Sequence, residues 1–404
     1  MVLRLFSLLE GSNYAPFAVH AIRSILRLPH ISFGSEVGKG QLLHHLRFSI
    51  DYLRRAHLLS QEGKPVNLFG VSSHLYYTEP SNLAMAVLLQ HGVIHDICSQ
   101  ASAVEAERDL VILLCHLFGR KYLPEVYATT SNIHDLVQKG PSCVVLAPLH
   151  PKAREVLLAH QKQTLGIFSA YALAFSSQHA DELGPDNRLP LSGMVVGPSD
   201  ASALPRAPLF AHIFETARKP VARSLFVATS GHDDTFGDVG ELVRTVRHGV
   251  HLNKHAIPTV EQILDPKLPL NAYLYDFFVH GQVDALVNMN GLRRGDLWFV
   301  IQAFHLVLIT IRGDLENLLS NMSSNSDRDA ALHEVDSDGH MADMSDDSGY
   351  YSSDPSEREK EGREEADQGI FERPRGVGDR DWKVYEVVNS ITNQFSVKFK
   401  AMWA

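Results

Sequence analysis

The chain has 404 residues, 45% hydrophobic and 21% charged, an ordinary soluble make-up with room for two compact units plus tails. Its net charge of −10 is concentrated: residues 321–368 hold 15 Asp or Glu against 4 Lys or Arg, leaving 33 basic against 32 acidic elsewhere. A near-neutral body excludes a strongly basic nucleic-acid-binding protein, and Cys98, Cys115 and Cys143, far apart and without a CxxC pair, exclude a thiol-only zinc site.

The start, MVLRLFSLLEG, is too short for a secretory segment, and short helices are expected before Pro29 and over Ala18–Leu28. Gly34–Gly40 reads as a loop. Leu42, Leu43, Leu46, Ile50 and Leu53 then recur at helical spacing and predict a helix over Gln41–Leu59. A turn at Gln61-Glu62-Gly63 and a short strand over Pro65–Phe69 follow, the order in which a winged-helix domain ends. Thr78-Glu79-Pro80-Ser81 is a helix start, leading to helices over Asn82–Cys98 and Val104–Phe118 and a long one over Lys152–Gln178.

Gly184–Pro220 is rich in Pro and Gly and reads as irregular, with a lone strand over Ser224–Thr229. Helices are predicted over Ala272–His280, Gln282–Asn288 and Asp296–Leu319, the last capped by Asp296 after the Asn290-Gly291 turn. The longest apolar run, Leu297–Ile311, is interrupted by Gln302 and His305 and is shorter than the ~20 residues a membrane span needs. It reads as a buried helix, and no membrane partner is expected. From Ser320 to Pro374 the composition turns to Ser, Asp and Glu, with too little apolar surface to offset ordering entropy. A final helix is expected over Asp381–Trp403, which makes the acidic stretch an insertion in a folded domain.

The two Gly-Lys pairs, Gly38-Lys39 and Gly63-Lys64, lack the upstream glycine and following hydroxyl of a phosphate loop, and no DExH string or GxSxG elbow occurs. His95-Asp96, His134-Asp135 and His232-Asp233 are the dipeptides that an HD-type metal phosphohydrolase uses, and also what a chain with 22 histidines contains by composition. Basic pairs are the stronger candidates: Arg54 and Arg55, with Arg47 two turns earlier, then Arg120-Lys121 and Arg293-Arg294. Each could hold phosphates of a nucleic-acid strand, or simply complement a helix C-terminus. Tyr76-Tyr77 could stack on bases or fill core. In the acidic stretch, Asp347-Ser348-Gly349-Tyr350-Tyr351-Ser352 matches a DSGxxS phosphodegron, and Ser356 precedes Glu357 and Glu359 as an acidic-directed kinase site; Ser348, Ser352 and Ser356 are therefore candidate regulatory phosphosites.

Three stretches go beyond these readings. Leu42–Cys98 (LLHHLRFSIDYLRRAHLLSQEGKPVNLFGVSSHLYYTEPSNLAMAVLLQHGVIHDIC), Leu114–Pro124 (LCHLFGRKYLP) and Leu268–Asp296 (LPLNAYLYDFFVHGQVDALVNMNGLRRGD) resemble the winged-helix and helical C-terminal region of superkiller-type DExH-box RNA helicases. Within them the chain is most similar to the interferon-induced antiviral DExD/H-box branch and its fungal relatives. The resemblance implies a mainly α fold: the end of a motor lobe and a winged-helix-like domain at 1–78, a helical, ratchet-like bundle at 79–319, a disordered acidic insertion at 320–375, and a final helix at 376–404 packing on the bundle. It implies RNA and the helicase motor lobes, in cis or in trans, as partners. ATP and magnesium would belong to that parent family, with no cofactor held by this chain, whose own residues are expected to be non-catalytic. The remaining alternatives are a free-standing scaffold descended from such a helicase and, distantly, the phosphohydrolase. A cytoplasmic or nuclear setting fits the unpaired cysteines.

Overall fold

The structure, a computed structural model, describes residues 36–61, 63–74, 79–123, 142–185, 187–196, 257–264, 269–334 and 371–402. The described part is mainly α-helical, and its β pairing is limited to isolated bridges. Helices α1 (Glu36–Arg55), α2 (Phe69–His74), α3 (Glu79–Gln90), α4 (Val93–Cys98) and α5 (Ala103–Leu117) come first. They are followed by α6 (Pro151–Gln178), α7 (Ala180–Leu183), α8 (Glu261–Leu264), α9 (Tyr273–His280), α10 (Val283–Asn288), α11 (Arg294–Glu334) and α12 (Asp379–Ala401).

Several boundaries depart from the sequence reading. Helix α1 begins at Glu36, inside the expected Gly34–Gly40 loop, and ends at Arg55. Gly40 lies against α6, where a Cβ would stand in ordinary contact, 3.5 Å from the Phe175 ring. After α1 the chain turns through His57 and Asn67, both left-handed, with the Asn67 side-chain amide donating to the His57 carbonyl at 2.8 Å. A tight hairpin lies between them: Leu59 bridges Pro65, and Ser60 N–H donates to the Lys64 carbonyl at 2.8 Å. The expected strand over Pro65–Phe69 is thus only this bridge, because Phe69 already begins α2. The helix expected over Asn82–Cys98 is broken at Gly92, whose φ of 69° ends α3 and opens α4. The N-terminal helices and Ser224–Thr229 lie outside the described residues.

Among the described residues two hydrophobic clusters organise the fold, and α6 belongs to both. Its first turns, with Ala153 and Leu157, join the larger cluster of α3, α4, α5, α9, α11 and α12. Its later turns, with Phe168, Ala172 and Phe175, pack on Phe48, Tyr52 and Leu53 of α1. Between them His160 is buried and shares a 3.1 Å hydrogen bond with the Tyr52 hydroxyl.

The larger cluster is closed by an antiparallel pair, α11 and α12. On α11, Leu297, Ile301, Phe304, Leu308, Ile311 and Leu315 are buried at alternating spacings of four and three; Val384, Val388, Ile391 and Phe395 do the same on α12. That is the seam of a two-helix coiled coil. Side-chain rungs run beside it: Trp298 stacks on Phe399, His305 bonds the Ser396 hydroxyl at 2.7 Å, and the Tyr385 hydroxyl donates to Glu316 at 3.0 Å. By length and composition Arg294–Asn321 is apolar enough to cross a membrane, but its seam is used against α12. Helix α11 also continues to Glu334, so the first part of the stretch expected to be disordered from 320 onward is helical. It opens at Arg294, which puts Asp296 in the first turn and not at the cap.

Candidate nucleic-acid interface

The six candidate cations fall into two places. Arg54 and Arg55 end α1 next to the hairpin. The Arg54 guanidinium donates to both the Gln61 carbonyl and its side-chain oxygen, each at 2.7 Å, and so holds the hairpin tip. Arg55 donates to Asp51 at 2.9 Å, one turn back, and remains more than half exposed. Asp51 in turn hydrogen-bonds Tyr171 of α6, whose phenol is pushed up, mainly by burial and then by that carboxylate. Both arginines therefore have structural work, yet with exposed Arg47 and Lys64 they make the α1–hairpin edge basic.

The other two pairs are brought together by the fold. Three connectors pair side by side: Tyr122 bridges Leu270, and Val145 bridges Asn271, so 269–272 runs between 121–123 and 143–146. Asn271 is the centre of this knot. Its N–H donates to the Lys121 carbonyl at 2.8 Å, and its side-chain amide donates to the Asn290 carbonyl at 2.7 Å. The buried Asn290 amide returns a bond to the Asn271 side-chain oxygen at 3.1 Å. Lys121 is thus tied by two hydrogen bonds to a residue three positions before Arg293. Underneath, the buried Asp276 carboxylate accepts the Cys143 N–H at 3.0 Å and faces His280 at 3.1 Å.

Upstream of Lys121, Gly119 has φ +70°, and a Cβ there would lie 2.6 Å from the Leu274 side chain, so glycine is favoured on both counts. Its carbonyl accepts the Tyr273 hydroxyl at 2.8 Å. Arg120 is half-buried near His116, whose imidazole is held below its ordinary value chiefly by burial, with Arg120 adding to the effect. Arg294 is ion-paired with Asp284, while Arg293 is exposed. Tyr122, 53% exposed, stands beside Lys121. Sequence reasoning passed over it and named Tyr76-Tyr77, which lie outside the described residues; only the pairing of distant connectors reveals Tyr122. An exposed ring beside a cation suits a single strand, since stacking contributes ~1–3 kcal/mol per base and cations neutralise phosphates.

The phosphohydrolase candidates find other uses. His95 is hydrogen-bonded to Asp381 of α12 at 3.0 Å, and Asp96 is paired with Lys152 and Arg380, so this dipeptide joins α4, α6 and α12. Those cations hold the Asp96 carboxyl below its ordinary range, the Lys152 hydrogen bond first. Among the described residues no group of three or more His, Cys, Asp or Glu is arranged to hold a metal ion. His134-Asp135, His232-Asp233, Ser348, Ser352 and Ser356 lie outside the described residues.

Residues 1–73 match the family described as "DDX60-like, winged helix domain". The chain is 26% identical over 341 residues, 80% of its length, to the human "Probable ATP-dependent RNA helicase DDX60-like", of which it covers 19%. It is 23% identical over 280 residues to an uncharacterized helicase of Dictyostelium discoideum and 23% over 317 residues to one of Caenorhabditis elegans, covering 14% and 16% of them. The chain is thus similar, over most of its length, to part of a helicase related to DDX60, and spans less than a fifth of these relatives. No solved structure matches it.

Proposed function

We propose that this chain is an accessory region of an ATP-dependent RNA helicase, which holds RNA and braces motor lobes lying outside these residues. The observation that carries the reading is the similarity to a DDX60-like RNA helicase over 80% of the chain. The knot around Asn271 supports it by gathering Lys121, Tyr122 and Arg293 in one neighbourhood. Arg54 and Arg55, with Arg47 and Lys64, form a second, sequence-independent contact along the strand, and Arg120 and Arg294 position the first. ATP and magnesium belong to the motor lobes, and the setting is the cytoplasm.

So few cations neutralise only a handful of phosphates, so binding is weak, generic in sequence and steeply reduced by salt. The test is fluorescence anisotropy of a labelled single-stranded RNA with the purified chain. Lys121→Glu with Arg293→Glu should lower affinity at least tenfold while circular dichroism stays unchanged. Unaltered affinity in the folded double variant would remove the knot from the interface.

A further inference from the structure

Beneath the connector knot, buried polar atoms collect that no protein group satisfies. The Val144 carbonyl and the Leu146 N–H pair with 270–272, so the preceding Cys143 turns its backbone the other way. Its N–H donates to Asp276 at 3.0 Å, and its carbonyl accepts the Asn290 side-chain amide at 3.5 Å. Asp276, Asn290 and the adjoining Ser142 are 1%, 0% and 2% exposed. Each still has one oxygen without a hydrogen bond: Asp276 Oδ2, Asn290 Oδ1 and Ser142 Oγ. Turning the Asn290 amide over is no remedy, since its nitrogen already faces two acceptors, the Cys143 carbonyl and Asn271 Oδ1. Buried polar atoms are nearly always partnered, so three orphans around Ser142-Cys143 mark a place where a ligand binds.

Charge narrows the choice of ligand. Among the described residues Asp276 has one ion-pair neighbour, His280 Nε2 at 3.1 Å, and no lysine or arginine. His280 Nδ1 accepts the Gln282 N–H at 2.8 Å, which makes that nitrogen an acceptor and leaves the ring neutral. Its Nε2 also lies outside hydrogen-bonding geometry. The carboxylate is thus away from water and unmatched by any cationic side chain, an arrangement that proteins keep only when the charge is balanced. A bound water would satisfy the oxygens but bring no charge. A divalent ion fits poorly, because one carboxylate and two neutral oxygens fall short of the roughly six to eight oxygens such ions take.

We propose that this socket binds one small monovalent cation, Na+ or K+, through Asp276 Oδ2, Ser142 Oγ and Asn290 Oδ1. Hard cations take oxygen ligands, and a single positive charge balances the single carboxylate. The three side chains come from α9, the 142–146 connector and the turn after α10. The ion therefore joins three elements under the knot, and the identity of the salt, as well as ionic strength, sets their stability. This is independent of RNA binding.

The test is thermal unfolding of the full 404-residue chain at neutral pH in NaCl, KCl and choline chloride of equal concentration, which holds ionic strength constant. The midpoint should rise by a few degrees in NaCl or KCl, and level off as that salt replaces choline. Whichever of the two acts at lower concentration is the preferred ion. Asp276→Asn removes the charge but keeps the shape, and should abolish the dependence. Ser142→Ala should move half-saturation roughly fivefold higher, and remains informative if Asp276→Asn does not fold. Equal midpoints in all three salts overturn the proposal and assign a water or a protonated carboxyl to the socket. A dependence that survives Asp276→Asn, or a half-saturation unmoved by Ser142→Ala, places the ion elsewhere and overturns it too. So does stabilisation by CaCl2 or MgCl2 alone.

Discussion

Phe395→Ala is the most informative perturbation of the fold. Phe395 is fully buried at the meeting point of three helices, its ring centroid 5.0 Å from Phe277 of α9, 5.4 Å from Phe304 and 6.0 Å from His305 of α11. The substitution removes a whole ring whose neighbours are held by the seam and cannot collapse into the space. Losses of ~3–5 kcal/mol accompany such truncations. Against a total of ~5–15 kcal/mol, that is a large share of the stability. For a unit of this size it corresponds to a fall of roughly 10 °C in thermal midpoint. Chemical denaturation followed by circular dichroism reads it directly. A loss under ~1 kcal/mol would mean that α12 is peripheral and that the α11–α12 seam does not close the core.

Further outcomes follow from single sites. Gly119→Ala should cost ~1–3 kcal/mol, from left-handed backbone and the clash with Leu274, and Tyr273→Phe should cost less; equal costs would contradict this ranking. His160 is pulled down to about 4 by burial first and by His91 second. The unfolded chain, with an imidazole near ~6.5, therefore protonates before the folded one, so stability present at neutral pH is lost as pH falls from ~6.5 to ~4, by about 3 kcal/mol. His160→Gln should flatten that dependence in denaturation curves at pH 7 and 4.5, and an unchanged slope would assign the effect elsewhere. Arg54→Ala should loosen the hairpin, read as faster amide exchange at Ser60 and Gly63, while Arg55→Ala should not.

What could be read from the sequence divides by distance along the chain. The boundaries of α5 and α6 follow from local apolar spacing, and both agree with expectation to within about one residue. Glycine misled in two directions: Gly40 reads as loop but lies inside α1, whereas Gly92 reads as helix interior but ends α3. Beyond Leu319 the polar composition pointed to disorder, yet the helix continues to Glu334. The site was legible only as separate basic pairs. That Lys121 and Arg293 share the Asn271 knot depends on hydrogen bonds between residues 19 to 150 positions apart, which leave no periodic trace. The resemblance pointed to the DDX60-like relatives, and the connectors supplied Tyr122.

Photocross-linking with a 4-thiouridine-labelled single strand tests the central claim most directly, because it reads contact residue by residue without requiring tight binding. Cross-linked peptides containing Tyr122 and residues near Arg293 are expected, suppressed by excess unlabelled RNA and by high salt. Cross-links absent from both segments, with the RNA recovered uncrosslinked or attached elsewhere, would contradict it.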